Sequence, residues 1–329
     1  MDHHLIPGTQ LSVFPLILGT DYYGKTIPEN DAGQLLDSFC EQGGNLIDTA
    51  HVYSDYLPGE KHMSEKVIGR WLKNSGRKKA VGNTLYIATK GGFPEIGNMH
   101  ASRLSFPEVQ RDLEESLECL QIDCIDLYWL HRDHPSIPAE EITEWMNLFL
   151  RQGKIKSYGY SNWTSERIAA SRHYAEEHRL VPPAASQIRW SLAVTTKEKR
   201  DDDTLVEMDQ KEYSWYQKHN FPVFAFSSQA KGFFSKIRKE NDTYFLPEGK
   251  AGDRYSNRVN LKTYDRLLLI SEKYGITIAQ AALAWILHAP FPVFPIIGCK
   301  TKAQLLESMQ AAKYSDIEEF LPQSKIFQD

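Results

Sequence analysis

Short apolar runs alternate with longer amphipathic segments from one end of the chain to the other. The runs are PLILGT (15–20), NLIDTA (45–50), LYIATK (85–90), IDLYWLH (125–131), IKSYGYS (155–161), AASQIRW (184–190), PVFAFSS (222–228) and FPIIGC (294–299). Apolar runs of this length, bounded by glycine and polar residues, predict buried strands. Between them, ENDAGQLLDSFCEQGG opens on acidic residues and closes on glycine, as a helix does. SFPEVQRDLEESLECLQ puts Val109, Leu113, Leu117 and Leu120 on one helical face, with Ser105 positioned to cap it. PAEEITEWMNLFLRQGK and TSERIAASRHYAEEHR follow the same pattern.

Eight such repeats without a break in composition predict an α/β chain folded as one (β/α)8 TIM barrel, a single domain over 1–329. The competing open, doubly wound sheet normally carries G-x-G-x-x-G after its first strand, and LGTDYYG does not match. Two long insertions interrupt the repeat. GGFPEIGNMHASRLS (91–105) follows the third strand, and a polar stretch from Ser227 to about Arg258 follows the seventh. In a barrel both lie at the C-terminal face, where barrel enzymes keep their sites. Two helical segments, 260–274 and about 278–288, precede the eighth strand, one more than the repeat needs.

The strand ends carry the chemistry. In GGNLIDTAHVYSD (43–55) the apolar run stops at Asp48, and Tyr53 follows five residues later. The third strand ends at Lys90 and the fourth at His131. The fifth ends at Ser161 and Asn162, the sixth carries Gln187, and the seventh ends at Ser227. A charge closing a buried strand is costly unless paired, and in a closed barrel Asp48 and Lys90 stand on adjacent strands. A free phenol, with a pKa of about 10, is a poor proton donor near neutrality. An ammonium beside Tyr53 is expected to lower that pKa, with Asp48 keeping Lys90 charged and oriented. His131 can bond a carbonyl oxygen or share the proton. Such a tyrosine suits an oxygen that gains negative charge, as when hydride adds to a carbonyl. No side chain donates hydride, so this reading requires a nicotinamide cofactor.

Composition narrows the remaining classes. The 329 residues carry a formal charge of −5 and 41% hydrophobic residues. No basic run points to nucleic acid. No apolar run approaches the roughly 20 residues that span a bilayer, and the N-terminus does not read as a signal peptide. Cys40, Cys119, Cys124 and Cys299 form no C-x-x-C pair, so reduced thiols and a cytoplasmic location are expected. His131 and His134 lack partners nearby in sequence for a metal set, so no metal is expected.

Over nearly its full length the chain resembles the aldo-keto reductase family. The resemblance rests on GGNLIDTAHVYSD, IATKGG, IDLYWLHRDHP, GKIKSYGYSNWT, ASQIRWSL, FAFSSQAKGFFS and FPIIGCKTKAQLLES, in the family's order. It implies that Asp48, Tyr53, Lys90 and His131 form a catalytic tetrad with Tyr53 as general acid. It implies cofactor contacts from Thr20, and from Ser161, Asn162 and Gln187 on the nicotinamide carboxamide. Phe226 takes the place of the usual ring-stacking tyrosine. Ser227, Gln229 and Gly232 fall on the segment that wraps the pyrophosphate. Gly298 and Cys299 stand where many members have Lys-Ser, and Gln304 where many use an arginine on the 2′-phosphate. Glu307 matches an acidic residue near the adenine, and Ser308 replaces a common asparagine. Lys300 and Lys302 can neutralise a 2′-phosphate, so NADP(H) is the expected cofactor, with NAD(H) open because lysine is the less selective phosphate binder.

The expected substrate is a small-molecule aldehyde, ketone or sugar carbonyl. Tyr22 and Tyr23 after the first strand, Trp163 after the fifth and Arg132 beside His131 are its candidate contacts. Arg132, with Asp133 and His134, predicts a polar rim, which favours a sugar or another polar carbonyl. Three other readings stay open: a Schiff-base aldolase using Lys90, a metal-dependent barrel hydrolase, and a nicotinamide-binding regulatory subunit like the potassium-channel β subunits. The hydrolase is disfavoured because the first strand lacks His-x-His. The oligomeric state is not legible.

Overall fold

The protein is described here by a computed structural model covering residues 3–77, 85–196, 202–241, 243–318 and 320. Eight parallel strands close into a barrel. In barrel order they are β3 (Ile17–Gly19), β4 (Leu46–Asp48), β5 (Tyr86–Gly91), β6 (Leu127–Leu130), β7 (Tyr158–Ser161), β8 (Ala185–Arg189), β9 (Val223–Phe226) and β12 (Val293–Ile297), which pairs back onto β3. All eight apolar runs are therefore strands of one barrel. The helices between them cover its outside, among them α1 (Glu29–Glu41), α2 (Met63–Ser75), α3 (Phe106–Leu120) and α11 (Lys302–Gln310).

Strand alternation divides the side chains into two sets. One set faces the helices: Leu18, Ile47, Ile87, Tyr128, Tyr158, Tyr160, Ile188 and Ile297 all join the larger core cluster. The other set fills the barrel. Ile17, Leu46, Ala88, Leu127, Trp129, Ala185, Phe224, Phe294 and Ile296 form a separate inner cluster. Its floor is an antiparallel pair that the sequence reading missed, β1 (His4–Leu5) with β2 (Ser12–Val13). Ile6, Leu11 and Val13 from this segment join the inner cluster, and each is at most 3% exposed.

Trp129 explains the glycine facing it. A Cβ on Gly159 would stand 2.5 Å from the Ala185 carbonyl oxygen and 2.5 Å from the Trp129 ring. Gly159→Ala is therefore expected to destabilise the barrel by about 1–3 kcal/mol, the usual cost of overpacking a filled core. Urea unfolding reads this as a fall in midpoint at unchanged slope.

The two insertions leave the C-terminal ends of β5 and β9. The second is structured rather than loose. It contains α7 (Phe233–Lys236), the antiparallel pair β10 (Arg238–Glu240) and β11 (Thr243–Phe245), and α8 (Gly249–Tyr255). The extra helix before the last strand is present too: α9 (Arg258–Tyr274) and α10 (Ile278–Leu287) stand in succession. Thr277 and Gln280 start α10 with a reciprocal capping box. Ser105 precedes α3 but does not cap it by a side-chain bond; its hydroxyl donates to Glu108 at 2.7 Å. No single described helix is long and apolar enough to cross a membrane.

Candidate active site

The alternation that packs the barrel interior also builds the site. Two residues beyond Leu46, Ala88, Trp129, Gly159 and Ala185 in the same inward register stand Asp48, Lys90, His131, Ser161 and Gln187. The lower barrel is thus apolar and the next layer is polar, at the C-terminal mouth. Tyr53 reaches that layer from the segment after β4, with its backbone N–H bonded to the Ala50 carbonyl at 3.0 Å.

Lys90 is the hub. Only 1% exposed, its ammonium donates to Asp48 Oδ2 at 2.5 Å, to the Thr49 carbonyl at 2.7 Å and to the Tyr53 hydroxyl at 2.9 Å. The other Asp48 oxygen accepts from Gln187 Nε2 at 3.0 Å. Removing two ions from water costs several kcal/mol each, and this full set of bonds offsets that cost. Burial pushes Asp48 up and Lys90 down, and each partner's charge opposes the other's shift, so they titrate as one unit.

Tyr53 departs from expectation. Burial first, then the Asp48 carboxylate, hold its pKa above the ordinary phenol value. The lowering expected from Lys90 is outweighed by the lost solvation of a buried phenolate and by the Asp48 carboxylate behind the ammonium. The phenol therefore keeps its proton at neutral pH. His131 lies edge-on to it, ring centres 5.9 Å apart. Burial, followed by Lys90 and Arg132, holds the His131 pKa well below its usual value, so the imidazole is neutral. Its Nδ1 is buried and finds no hydrogen-bond partner among the described residues. A protonated phenol backed by a cation, beside a neutral imidazole, can bind and protonate a carbonyl oxygen.

The expected nicotinamide contacts converge beside this group. Asn162 has a left-handed φ of 59°. Its amide donates to the His131 carbonyl at 3.2 Å and to Ser161 Oγ at 3.0 Å. Phe226 is half-buried at the end of β9. Thr20 lies below the surface, its hydroxyl spent on the Asp48 carbonyl at 3.1 Å and on Ser64 at 2.9 Å. It ties β3 to β4, and its side chain is closed to a ligand in this structure.

Beyond Phe226 the chain turns sharply, with positive φ at Ser227 (54°), Ala230 (47°), Lys231 (55°) and Gly232 (73°). Successive turns of this kind present backbone N–H groups to anions. Cations gather at the same place. Burial, then Lys250 and Arg189, lower the Lys231 pKa; burial, then Arg189, lowers that of Arg254. Arg189 itself pairs with Glu207 at 2.9 Å, and the depressed protonation of Lys231 and Arg254 beside it suits a polyanion such as a dinucleotide pyrophosphate. Arg189, Lys231 and Arg254 were missed in the sequence. Arg189 alone had a signal, two residues past Gln187 in the inward register.

Gln229 donates to Ser308 Oγ at 2.9 Å, joining this segment to α11, and Cys299 is buried behind it. Glu307 is half-buried on α11, and its carbonyl accepts from Gln280. Gly298, Lys300 and Lys302 are exposed at the start of α11, where the helix dipole adds positive potential. Gln304 turns back to accept from the Lys300 N–H at 2.9 Å, while Thr301 caps the helix by accepting from the Gln304 N–H.

The substrate candidates divide. Tyr22 is 37% exposed, edge-on to Tyr56 at 6.4 Å and 5.9 Å from the Lys300 ammonium, so it lies at the mouth. Tyr23, 1% exposed, packs in the core and does not. Trp163 is also excluded: it has no exposed surface and stacks on Tyr160 at 3.8 Å. Arg132 does not pair with its neighbour Asp133. It bonds Asp202 at 3.1 Å and Thr204 at 3.2 Å, from the loop between β8 and α6 (Gln210–His219), and covers the Phe93 ring at 5.1 Å. Asp133 pairs with Arg167 at 2.8 Å, and His134 bonds Ser136 at 2.6 Å. The polar rim is thus largely satisfied internally, which removes the argument for a sugar. Nothing in the polar composition of the 190–209 loop points to Arg132 from the sequence alone; residues 197–201 lie outside the described ones.

Relatives of known name agree with this architecture. The sequence profile of the Aldo/keto reductase family matches residues 15–320. The chain is 28% identical to the uncharacterized oxidoreductase YrpG of Bacillus subtilis, over 98% of this chain and 94% of that protein. It is 28% identical to norsolorinic acid reductase stcV of Emericella nidulans, over 92% and 74% respectively. It is 25% identical to a putative voltage-gated potassium channel subunit beta of Schizosaccharomyces pombe, over 94% and 87%. With a family match spanning nearly the whole barrel, the chain belongs to the aldo/keto reductase family and is an oxidoreductase.

Proposed function

We propose that the protein reduces an aldehyde or ketone to the alcohol with Tyr53 as the general acid and NADPH as the preferred cofactor. The observation that carries this reading is the Lys90 ammonium, bonded at once to Asp48 and to the Tyr53 hydroxyl at the barrel mouth. Bound nicotinamide supplies the hydride. The chain's residues do the rest. His131 and Tyr53 hold the carbonyl oxygen between them, and Tyr53 gives it a proton as negative charge develops. Lys90 stabilises the phenolate left behind, an interaction stronger in the transition state than in the ground state. Ser161, Asn162 and Gln187 orient the carboxamide, Phe226 offers a ring face, and Arg189, Lys231 and Arg254 face the pyrophosphate.

Lys300 and Lys302 support the NADPH preference. Replacing both by alanine is expected to weaken NADPH binding roughly tenfold or more and to leave NADH binding nearly unchanged, the size expected for lost charge-assisted bonds. Tryptophan-fluorescence titration with each cofactor checks this, and equal loss for both would show that the two lysines do not read the 2′-phosphate. The likeness to a potassium channel subunit favours a second reading, a cofactor-binding regulatory subunit. Tight NADPH binding without turnover across a broad panel of carbonyls would select it.

A further inference from the structure

The segment that carries Tyr53 also carries two histidines that the proposed chemistry does not use. His51 stands two residues before Tyr53, and His62 ends the same segment just before α2. The fold stacks their rings at 3.9 Å and brings both against Glu115 of α3. His51 Nε2 is 2.7 Å, and His62 Nε2 4.0 Å, from the same Glu115 oxygen. Linear spacing hides this group, since Glu115 lies more than fifty residues away in the chain.

The outer contacts define which nitrogen is available. His62 Nδ1 lies 2.8 Å from the His51 carbonyl, which can only accept, so Nδ1 carries a proton and the neutral ring presents its lone pair at Nε2. Asp55 Oδ2, 3.2 Å from the same Nδ1, reinforces that tautomer. His51 Nδ1 lies 3.8 Å from Asp112, beyond hydrogen-bond range, while its Nε2–H donates to Glu115 at 2.7 Å, so a metal ion takes Nε2 by displacing that proton to Nδ1 on the Asp112 side. Carboxylates or carbonyls behind Nδ1, with both Nε2 atoms converging on a third ligand, are the outer arrangement of a histidine metal site. The Asp55 hydrogen bond raises the His62 pKa, and protonated His62 faces the Glu115 oxygen as an ion pair at 4.0 Å, a place where a metal ion can replace the proton.

We infer that His51 Nε2, His62 Nε2 and the Glu115 carboxylate form a binding site for a divalent transition metal ion of the zinc class. Two imidazoles and one carboxylate select borderline ions such as Zn²⁺ and disfavour Mg²⁺ or Ca²⁺, which prefer all-oxygen sets. The three ligand atoms lie within 4.8 Å of one another. A tetrahedral Zn²⁺ sets its ligand atoms about 3.3 Å apart. His62 and Glu115, whose side chains are 22% and 43% exposed, have room to close that difference. The exposure of Glu115 leaves the remaining coordination to water. The ion clamps the Tyr53 segment to α3, and the His51 N–H is itself bonded to the Lys90 carbonyl at 3.0 Å. Its role is positional: it holds the loop and touches no reacting atom.

The test uses the full chain, stripped with a chelator. Co²⁺ titration should give one equivalent of visible d–d absorption with the intensity of a four- or five-coordinate site, and Zn²⁺ should displace it. At a hundredfold excess over Kd, Zn²⁺ should raise the melting temperature by about 4 °C. Glu115→Gln and His62→Gln, both at partly exposed positions, should each lose the band and the shift while melting near the wild type without metal. If one variant does not fold, the other decides. Absence of the band and shift in the wild type, or their persistence in a folded variant, overturns the site.

Discussion

Tyr53→Phe should lower the rate of carbonyl reduction by about 10²–10⁴-fold, the usual range for removing a general acid. The phenyl ring fills the same space, so NADPH binding should stay within about twofold of wild type by fluorescence titration. The loss should fall in kcat more than in KM, because the proton is transferred only in the transition state. A smaller loss, about as large in KM as in kcat, would make Tyr53 a substrate-binding group and leave the proton to His131.

The second large effect is on stability. Lys90→Met leaves the Asp48 carboxylate buried beside Gln187 without its cation, a change expected to cost about 3–5 kcal/mol. Asp48→Asn strands the ammonium in the same way, though the Thr49 carbonyl and Tyr53 hydroxyl still accept from it. The double variant removes both charges, so it should be less destabilised than the sum of the singles by about 2 kcal/mol or more. All three should be nearly inactive. Urea unfolding of the four proteins completes the cycle. Strictly additive losses would show that the two groups do not act as a buried pair, whatever their separation of 2.5 Å.

The barrel was legible because both faces of a barrel strand are covered, so the strands read as short continuous apolar runs. The inward layer of Asp48, Lys90, His131, Ser161 and Gln187 was legible for the same reason, as polar residues closing those runs. What escaped depended on chain paths that no local pattern encodes. Asp202 and Thr204 reach Arg132 across about 70 positions. Trp163 and Tyr23 sit at strand ends like mouth residues, but whether a ring turns to the helices or to the opening depends on packing: Trp163 found Tyr160 to stack on. The Tyr53 pKa rises where the Lys90 ammonium alone would lower it, because burial of the phenol and the carboxylate behind that ammonium outweigh it, and neither is visible in the local sequence. The β1–β2 floor went unseen because its strands are two residues each.

The most direct test of hydride reduction at this site follows a label. The wild-type protein is incubated with NADPH deuterated at the transferable position and with a panel of aldehydes and ketones, and the alcohols are analysed by mass spectrometry. One deuterium is expected on the carbinol carbon of the product, in step with cofactor oxidation and lost in Tyr53→Phe. Substrate consumed with the label still on the cofactor, together with borohydride trapping of substrate on Lys90, would contradict it and assign Lys90 the role of a Schiff-base nucleophile.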